Sequence, residues 1–142
     1  MTTRSGSARY DGFGKEGKGH VSTQSGVLAD QFYGFGTRFG DEMGTNPEEL
    51  LAAAHAGCFT MALSFALAGA GYTDGSLETE AKVTLDKDGD GFRITRSALT
   101  LKAKVPGIGA EEFDKLAAGA KAGCPVSKLF DTEITLEHTL EN

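Results

Sequence analysis

The chain has 142 residues, 39% of them apolar, and a formal net charge of −6 at pH 7. That length is typical of a single domain, and we expect one domain over residues 1–142 with one hydrophobic core. An acidic chain without a basic cluster argues against nucleic acid as a partner.

Residues Met1 to Tyr10 contain no apolar stretch, so we expect no secretory signal and a cytoplasmic location. In the reducing cytosol a structural disulfide is disfavoured. The two cysteines, Cys58 and Cys124, are therefore expected to bind a metal or to be redox-active. Neither has a second ligand at metal-site spacing beside it, which argues against a metal and leaves redox chemistry.

Residues 7–40 predict short strands separated by glycine turns, and a long helix follows. Thr45 or Asn46 is suited to its N-cap, Pro47 to its first position, and two glutamates complement the positive end of its dipole. The helix is expected to end near Gly69–Gly71. Its apolar residues occur on every side, so it should form the centre of the core. A membrane span of similar length is the less favoured alternative, because polar residues interrupt the alanine-rich run.

Two alternating strands come next and predict a hairpin with its turn over residues 86–91. That turn starts like a calcium-binding loop, but strands flank it and its twelfth position is Ser97 rather than a glutamate. The apolar alternation slips between Ile94 and Leu99, which indicates a β-bulge.

A second helix is predicted from about Ala110 to Ala122, followed by a stop at Gly123. Cys124 then precedes Pro125, which predicts that the cysteine caps another short helix. Alternation from Ile134 to Leu140 predicts a last strand. This order of elements indicates an α+β fold with a largely antiparallel sheet.

Cys58 lies in the middle of the long helix, where it has no free backbone N–H to stabilise a thiolate. A free thiol with a pKa of about 8.5 is only a few per cent ionised at neutral pH. A nucleophilic Cys58 therefore needs a cation from another segment. Arg38, just before the helix, is the arginine best placed in the sequence, and Glu48 or Glu49 could hold its guanidinium group. The alternative is that both cysteines are ordinary small core residues.

Two segments resemble the signatures of the osmotically inducible protein C (OsmC) family, which includes the organic hydroperoxide resistance (Ohr) proteins. The first resemblance covers Gly44–Phe59 and Met61–Ser64, and the second covers Gly123–Ser127. The stretches Gly26–Leu28 and Tyr33–Phe39 resemble the osmotically inducible branch.

This resemblance implies a fold of antiparallel sheets packed around two central helices, in an intertwined homodimer with active sites at the subunit interface. It implies a peroxidase that defends the cell against oxidative and osmotic stress. Organic hydroperoxides would be its substrates, with Cys58 as the attacking thiol and Cys124 as the resolving one. Arg38 and Glu48 match the family's activating arginine and glutamate. The resemblance also implies an external dithiol reductant of the lipoyl type and no metal or flavin.

Helix geometry adds an expectation about the dimer. Ten residues separate Glu48 from Cys58, which on one helix means about 15 Å along the axis and about 80° in direction. Two copies of the helix crossing antiparallel near the small residue Ala53 would set Glu48 level with the partner's Cys58. We therefore expect Glu48 to serve the other subunit.

Two functions of other classes remain open at this stage. The chain could be a small-molecule binding protein whose cysteines only fill the core. It could also be a hydrolase or acyl transferase using Cys58 with His55, because residues three apart share a helix face. A buried, hydrogen-bonded His55 is the preferred interpretation of that residue.

Overall fold

The computed structural model describes all 142 residues. Its contacts divide the chain into two units, Met1–Leu50 and Leu51–Asn142, which are described in turn. The single domain over residues 1–142 stays a prediction.

The first unit contains a three-stranded antiparallel sheet in the order β1-β2-β3. The strands are β1 (Gly6–Asp11), β2 (Lys18–Thr23) and β3 (Gln31–Tyr33). The short strands predicted for residues 7–40 are thereby confirmed, but the short helix α1 (Phe35–Phe39) that follows them was missed. Five residues are too few for apolar periodicity to be visible in the sequence.

Helix α2 runs from Pro47 to Gly69, as the proline and the glycines predicted. The Asn46 side chain accepts a hydrogen bond from the backbone N–H of Glu49 at 2.8 Å, so Asn46 is the N-cap. Gly71 follows the helix with a φ of +97°, a backbone conformation that favours glycine.

The burial of α2 differs from the prediction. Only one stripe is buried within the chain, and its members lie four residues apart: His55, Phe59, Leu63 and Leu67. Met61 and Phe65 on the other sides are 62% and 71% exposed. The expectation of a helix buried on every side was therefore wrong for the single chain. By length and composition α2 could cross a membrane, and its buried stripe joins the core cluster of the second unit.

The second unit has a three-stranded sheet in the order β4-β5-β6. Its strands are β4 (Ser76–Asp88), β5 (Gly91–Lys104) and β6 (Glu133–Leu140). Strands β4 and β5 form the predicted antiparallel hairpin. Leu85 pairs with Ile94 whereas Thr84 pairs with Arg96, so Thr95 is the extra residue of the predicted bulge.

Strand β6 pairs with β5 in parallel, which a largely antiparallel prediction did not specify. The chain reaches β6 through α3 (Ala110–Gly123) and α4 (Pro125–Leu129). Parallel neighbours need such a long crossover connection, and the two helices after β5 provide it. Helix α3 confirms the second predicted helix, and one of its faces carries Phe113, Ala117 and Ala120 into the core.

Gly75 should be the least replaceable turn glycine of the second unit. It has a φ of +136°, and a Cβ there would collide with the backbone carbonyl of Lys104. Gly71 has a φ of +97° with open space around it, so Gly71→Ala carries backbone strain alone. We expect Gly71→Ala to lower the free energy of unfolding by about 1–3 kcal/mol and Gly75→Ala by clearly more. Urea unfolding of both variants measures this, and equal losses would contradict the collision.

Candidate active site

The two cysteines meet in the second unit. Cys58 lies on α2, and Cys124 lies between the last residue of α3 and the first of α4. Both are free thiols, and a side-chain hydrogen bond joins them. Cys124 is completely buried, whereas Cys58 is only partly buried. A small reagent from solvent can therefore reach Cys58 first.

Cys124 is the N-cap of α4, as predicted. Its Sγ accepts a hydrogen bond from the backbone N–H of Ser127 at 3.3 Å, and Pro125 takes the first helical position. Burial raises the pKa of Cys124, but hydrogen bonds from Ser127, from the Cys58 thiol and from the Val126 backbone outweigh burial. The net effect lowers the pKa of Cys124 below that of a free thiol.

The pKa of Cys58 is shifted in the opposite direction. Burial raises its pKa, and the hydrogen bond to Cys124 and the charge of that sulfur raise it further. One backbone N–H, that of Val126, works against them. The Cys58 thiol therefore donates to Cys124, and the second unit by itself favours the thiolate on Cys124. This agrees with the argument that a mid-helix cysteine needs an external cation before it can act as a nucleophile.

His55 is buried and hydrogen-bonded, as the sequence analysis predicted. Its Nδ1 lies 2.6 Å from the Oγ of Ser97, and its Nε2 lies 2.8 Å from the Oγ of Ser127. The ring packs edge-on against Phe130 with centroids 5.1 Å apart. Burial lowers the pKa of His55, so the ring is neutral at neutral pH. Because serine hydroxyls engage both nitrogens, His55 is not available as a base for Cys58, which weighs against the hydrolase interpretation.

The arginine and its carboxylate are found together in the first unit. Arg38 of α1 donates from Nε and from one Nη to the two carboxylate oxygens of Glu48, each at 2.9 Å. This bidentate pair holds the guanidinium group in a fixed orientation and leaves its other Nη free to donate. Glu49 instead accepts from the Thr45 hydroxyl, so Glu48 is the partner of Arg38.

An aromatic cavity of about 180 Å³ lies beside Arg38 within the first unit. Its lining includes Tyr10, Tyr33, Phe35 and Phe39. The sequence analysis did not identify these rings. They come from separate strands and from a short helix, so no local pattern groups them.

Two serines were also missed. Ser127 is the third residue after Cys124, which is the spacing at which a capping residue meets a backbone N–H, so the sequence did carry a signal for it. Ser97 lies on β5, and nothing in the sequence connects it with His55.

A pair of hydrogen-bonded thiols in an α+β fold, with a carboxylate-held arginine in the same chain, defines a dithiol protein equipped for redox chemistry. Residues 40–139 match the OsmC-like protein family. The chain belongs to that family.

Individual relatives agree with this assignment. The chain is 55% identical over 139 residues to Peroxiredoxin OsmC of Escherichia coli (strain K12), covering 98% of this chain and 97% of that protein. It is 36% identical over 100 residues to the organic hydroperoxide resistance protein OhrA of Bacillus subtilis (strain 168), covering 68% of each. Among solved structures, OhrB of Bacillus subtilis superposes with a TM-score of 0.72 at 30% identity, covering 97% of this chain and 98% of that one.

Proposed function

We propose that this chain reduces organic hydroperoxides to alcohols, with Cys58 as the attacking thiol and Cys124 as the resolving thiol. The observation that carries the proposal is the thiol pair, in which only Cys58 is accessible and Cys124 lies within hydrogen-bonding distance behind it. Peroxidase-type defence against hydroperoxides rests on membership of the OsmC-like family and on the 55% identity to a protein named a peroxiredoxin.

The proposed reaction has three steps. The Cys58 thiolate attacks the distal peroxide oxygen, the O–O bond breaks, and the alkoxide leaves as an alcohol after taking up a proton. Cys58 is thereby oxidised to a sulfenic acid. The Cys124 sulfur then attacks the Cys58 sulfur, forming the disulfide and releasing water. An external dithiol reduces the disulfide by exchange and becomes a disulfide itself.

Arg38 has the role of activating Cys58 in this proposal. The second unit alone raises the pKa of Cys58, so an added cation is required to make it the thiolate. The Arg38–Glu48 pair is a guanidinium group already oriented by a carboxylate, with one Nη left to donate. The aromatic cavity beside Arg38 would suit the apolar part of an organic hydroperoxide.

We further propose a homodimer, a cytoplasmic location and a lipoyl-type dithiol as the reductant. The exposed apolar side chains Met61 and Phe65 on α2 support the dimer, because large apolar patches on a free surface are costly.

A peroxide-consumption assay tests the function directly. The purified protein is given cumene hydroperoxide or hydrogen peroxide, with dihydrolipoamide or glutathione as the reductant. We expect the organic hydroperoxide with the dithiol to be consumed fastest. Absence of turnover with every pair of substrates would refute the peroxidase, and a preference for hydrogen peroxide would refute the apolar substrate class.

Mixed dimers test whether Glu48 serves the other subunit. One subunit carries Glu48→Ala and the other carries Cys58→Ser, so that Cys58 of the first chain can pair only with Glu48 of the second. Cross-subunit sites predict that one of the two sites survives, with about half the wild-type turnover per dimer.

The matched control is a mixed dimer of a wild-type subunit with a subunit carrying both substitutions. With cross-subunit sites, each remaining site of that control lacks either Cys58 or Glu48, so turnover is lost. If the control is active and the first mixed dimer is not, Glu48 acts within its own chain.

A further inference from the structure

Three buried side chains form a continuous row behind the resolving thiol Cys124. Ser97 lies 2.6 Å from Nδ1 of His55, and Ser127 lies 2.8 Å from its Nε2. The Ser127 hydroxyl is also 3.3 Å from the Sγ of Cys124. The exposed fractions of Ser97, His55 and Cys124 are all 0%, and that of Ser127 is 7%. The peroxidase steps described above make no use of His55 or Ser97.

The row can be fully hydrogen-bonded in two protonation states. When Cys124 is a thiol, its S–H donates to Ser127, the Ser127 hydroxyl donates to Nε2, and Nδ1–H donates to Ser97. When the proton has moved to His55, Nε2–H donates to Ser127 and the Ser127 hydroxyl donates to the Cys124 thiolate. The Nδ1–H bond to Ser97 is the same in both states, so Ser97 fixes the ring while the proton moves.

We propose that Ser127 and His55 form a proton relay for Cys124, in which His55 takes up the proton that the resolving thiol loses. This inference rests on the proposed function, because it assigns the proton of the resolving step. The Ser127 hydroxyl touches the reacting sulfur, and His55 is a positioning and proton-accepting residue that acts through it. The ring of Phe130 packs edge-on against the imidazole on another side.

The bonds and protons of the resolving step balance as follows. The Cys124 proton passes to Ser127 as the Ser127 proton passes to Nε2. The Cys124 thiolate attacks the sulfur of the Cys58 sulfenic acid, the S–S bond forms and the S–O bond breaks. The hydroxide that leaves Cys58 takes up one proton, and His55 later releases the proton that it accepted, so the net products are the disulfide and water. Burial lowers the pKa of His55, so the imidazolium is a transient state that releases its proton once the thiolate charge is gone.

Few other titratable groups lie near Cys124. From α2, the titratable groups facing Cys124 are Cys58 and, through Ser127, His55. Helix α4 contributes the backbone N–H groups of Ser127 and Val126, and β5 contributes the uncharged Ser97. No charged side chain shifts the pKa of Cys124. A pH dependence of its reactivity can therefore be assigned to the thiols and the imidazole.

The first experiment measures the resolving step itself. Wild type, Ser127→Ala and His55→Asn are oxidised with one equivalent of cumene hydroperoxide, and conversion of sulfenic acid to disulfide is followed by stopped flow from pH 5 to pH 9. We expect each substitution to slow the step about 100-fold at neutral pH and to lose most of this effect at pH 9, where solvent hydroxide ionises Cys124. Thr79→Ala removes a different hydroxyl that is hydrogen-bonded to α2 and should leave the profile unchanged.

The double variant separates a relay from two independent effects. If His55 acts through Ser127, the variant with both substitutions is no slower than Ser127→Ala alone. Multiplied effects of the two substitutions, or an equal slowing at every pH, would overturn the relay and leave His55 a structural residue.

A second readout does not depend on the peroxidase. In a Cys58→Ser background, ultraviolet absorbance of the thiolate titrates Cys124 as the sole cysteine. We expect Ser127→Ala and His55→Asn to move that titration to higher pH, and unchanged titrations would overturn the relay. If wild type consumes no hydroperoxide, the proposed function fails, while these titrations still decide whether His55 and Ser127 act on Cys124.

Discussion

Cys58→Ser is expected to abolish hydroperoxide consumption completely, because a serine hydroxyl is not ionised at neutral pH and cannot replace the thiolate. Cys124→Ser should behave differently. It should consume one equivalent of hydroperoxide and then stop as a Cys58 sulfenic acid, because no second sulfur is available to form the disulfide. Stopped-flow measurement with one equivalent of cumene hydroperoxide, followed by trapping of the sulfenic acid with dimedone, distinguishes the two variants.

Two properties of the site favour different cysteines as the nucleophile. The hydrogen bonds of the second unit lower the pKa of Cys124 and raise that of Cys58, which by itself favours Cys124 as the nucleophile. Accessibility favours Cys58, because Cys124 has an exposed fraction of 0%. A thiolate that the peroxide cannot reach is unreactive however low its pKa, so accessibility decides. A first turnover by Cys58→Ser and none by Cys124→Ser would reverse the two roles.

Arg38→Ala is expected to have the second largest effect. If Arg38 activates Cys58 as proposed, loss of the guanidinium group removes the positive charge that stabilises the thiolate, and the pKa of Cys58 should rise. The rate of reaction with hydroperoxide should then fall about tenfold or more at neutral pH. The deficit should shrink as pH rises through the pKa of Cys58, where hydroxide ionises the thiol without help. Iodoacetamide labelling of Cys58 in a Cys124→Ser background, measured from pH 6 to pH 9.5, reports this profile.

Two other variants serve as controls for Arg38. Arg9→Ala removes an exposed arginine that is paired with Asp11, and it should leave the labelling profile unchanged. Arg38→Lys keeps the charge but cannot make the bidentate pair with Glu48, so we expect an intermediate rate. If Arg38→Ala labels like the wild type while Arg9→Ala does not, the activating role passes to Arg9.

The elements with strong local signals were predictable from the sequence. Pro47, with Thr45 or Asn46 before it, located the start of α2, and Cys124 before Pro125 identified a helix cap. The slipped alternation between Ile94 and Leu99 predicted a bulge, which the structure places at Thr95. Each of these depends on backbone geometry over a few residues, which neighbouring side chains determine. The choice of Cys58, Cys124 and Glu48 as site residues came from two signature segments, and that of Arg38 came from its position just before the long helix. All four choices stay predictions.

Only the tertiary structure decided which groups meet. Ser97, His55 and Ser127 come from a strand and two helices, and their hydrogen bonds depend on how these elements pack. The parallel pairing of β6 likewise depends on where the crossover helices return the chain. The sequence alone determined that the α2 cysteine lacks a backbone donor of its own. Packing decided that its neighbour Cys124 receives several hydrogen bonds, because backbone N–H groups, a serine hydroxyl and a second thiol converge on one buried sulfur.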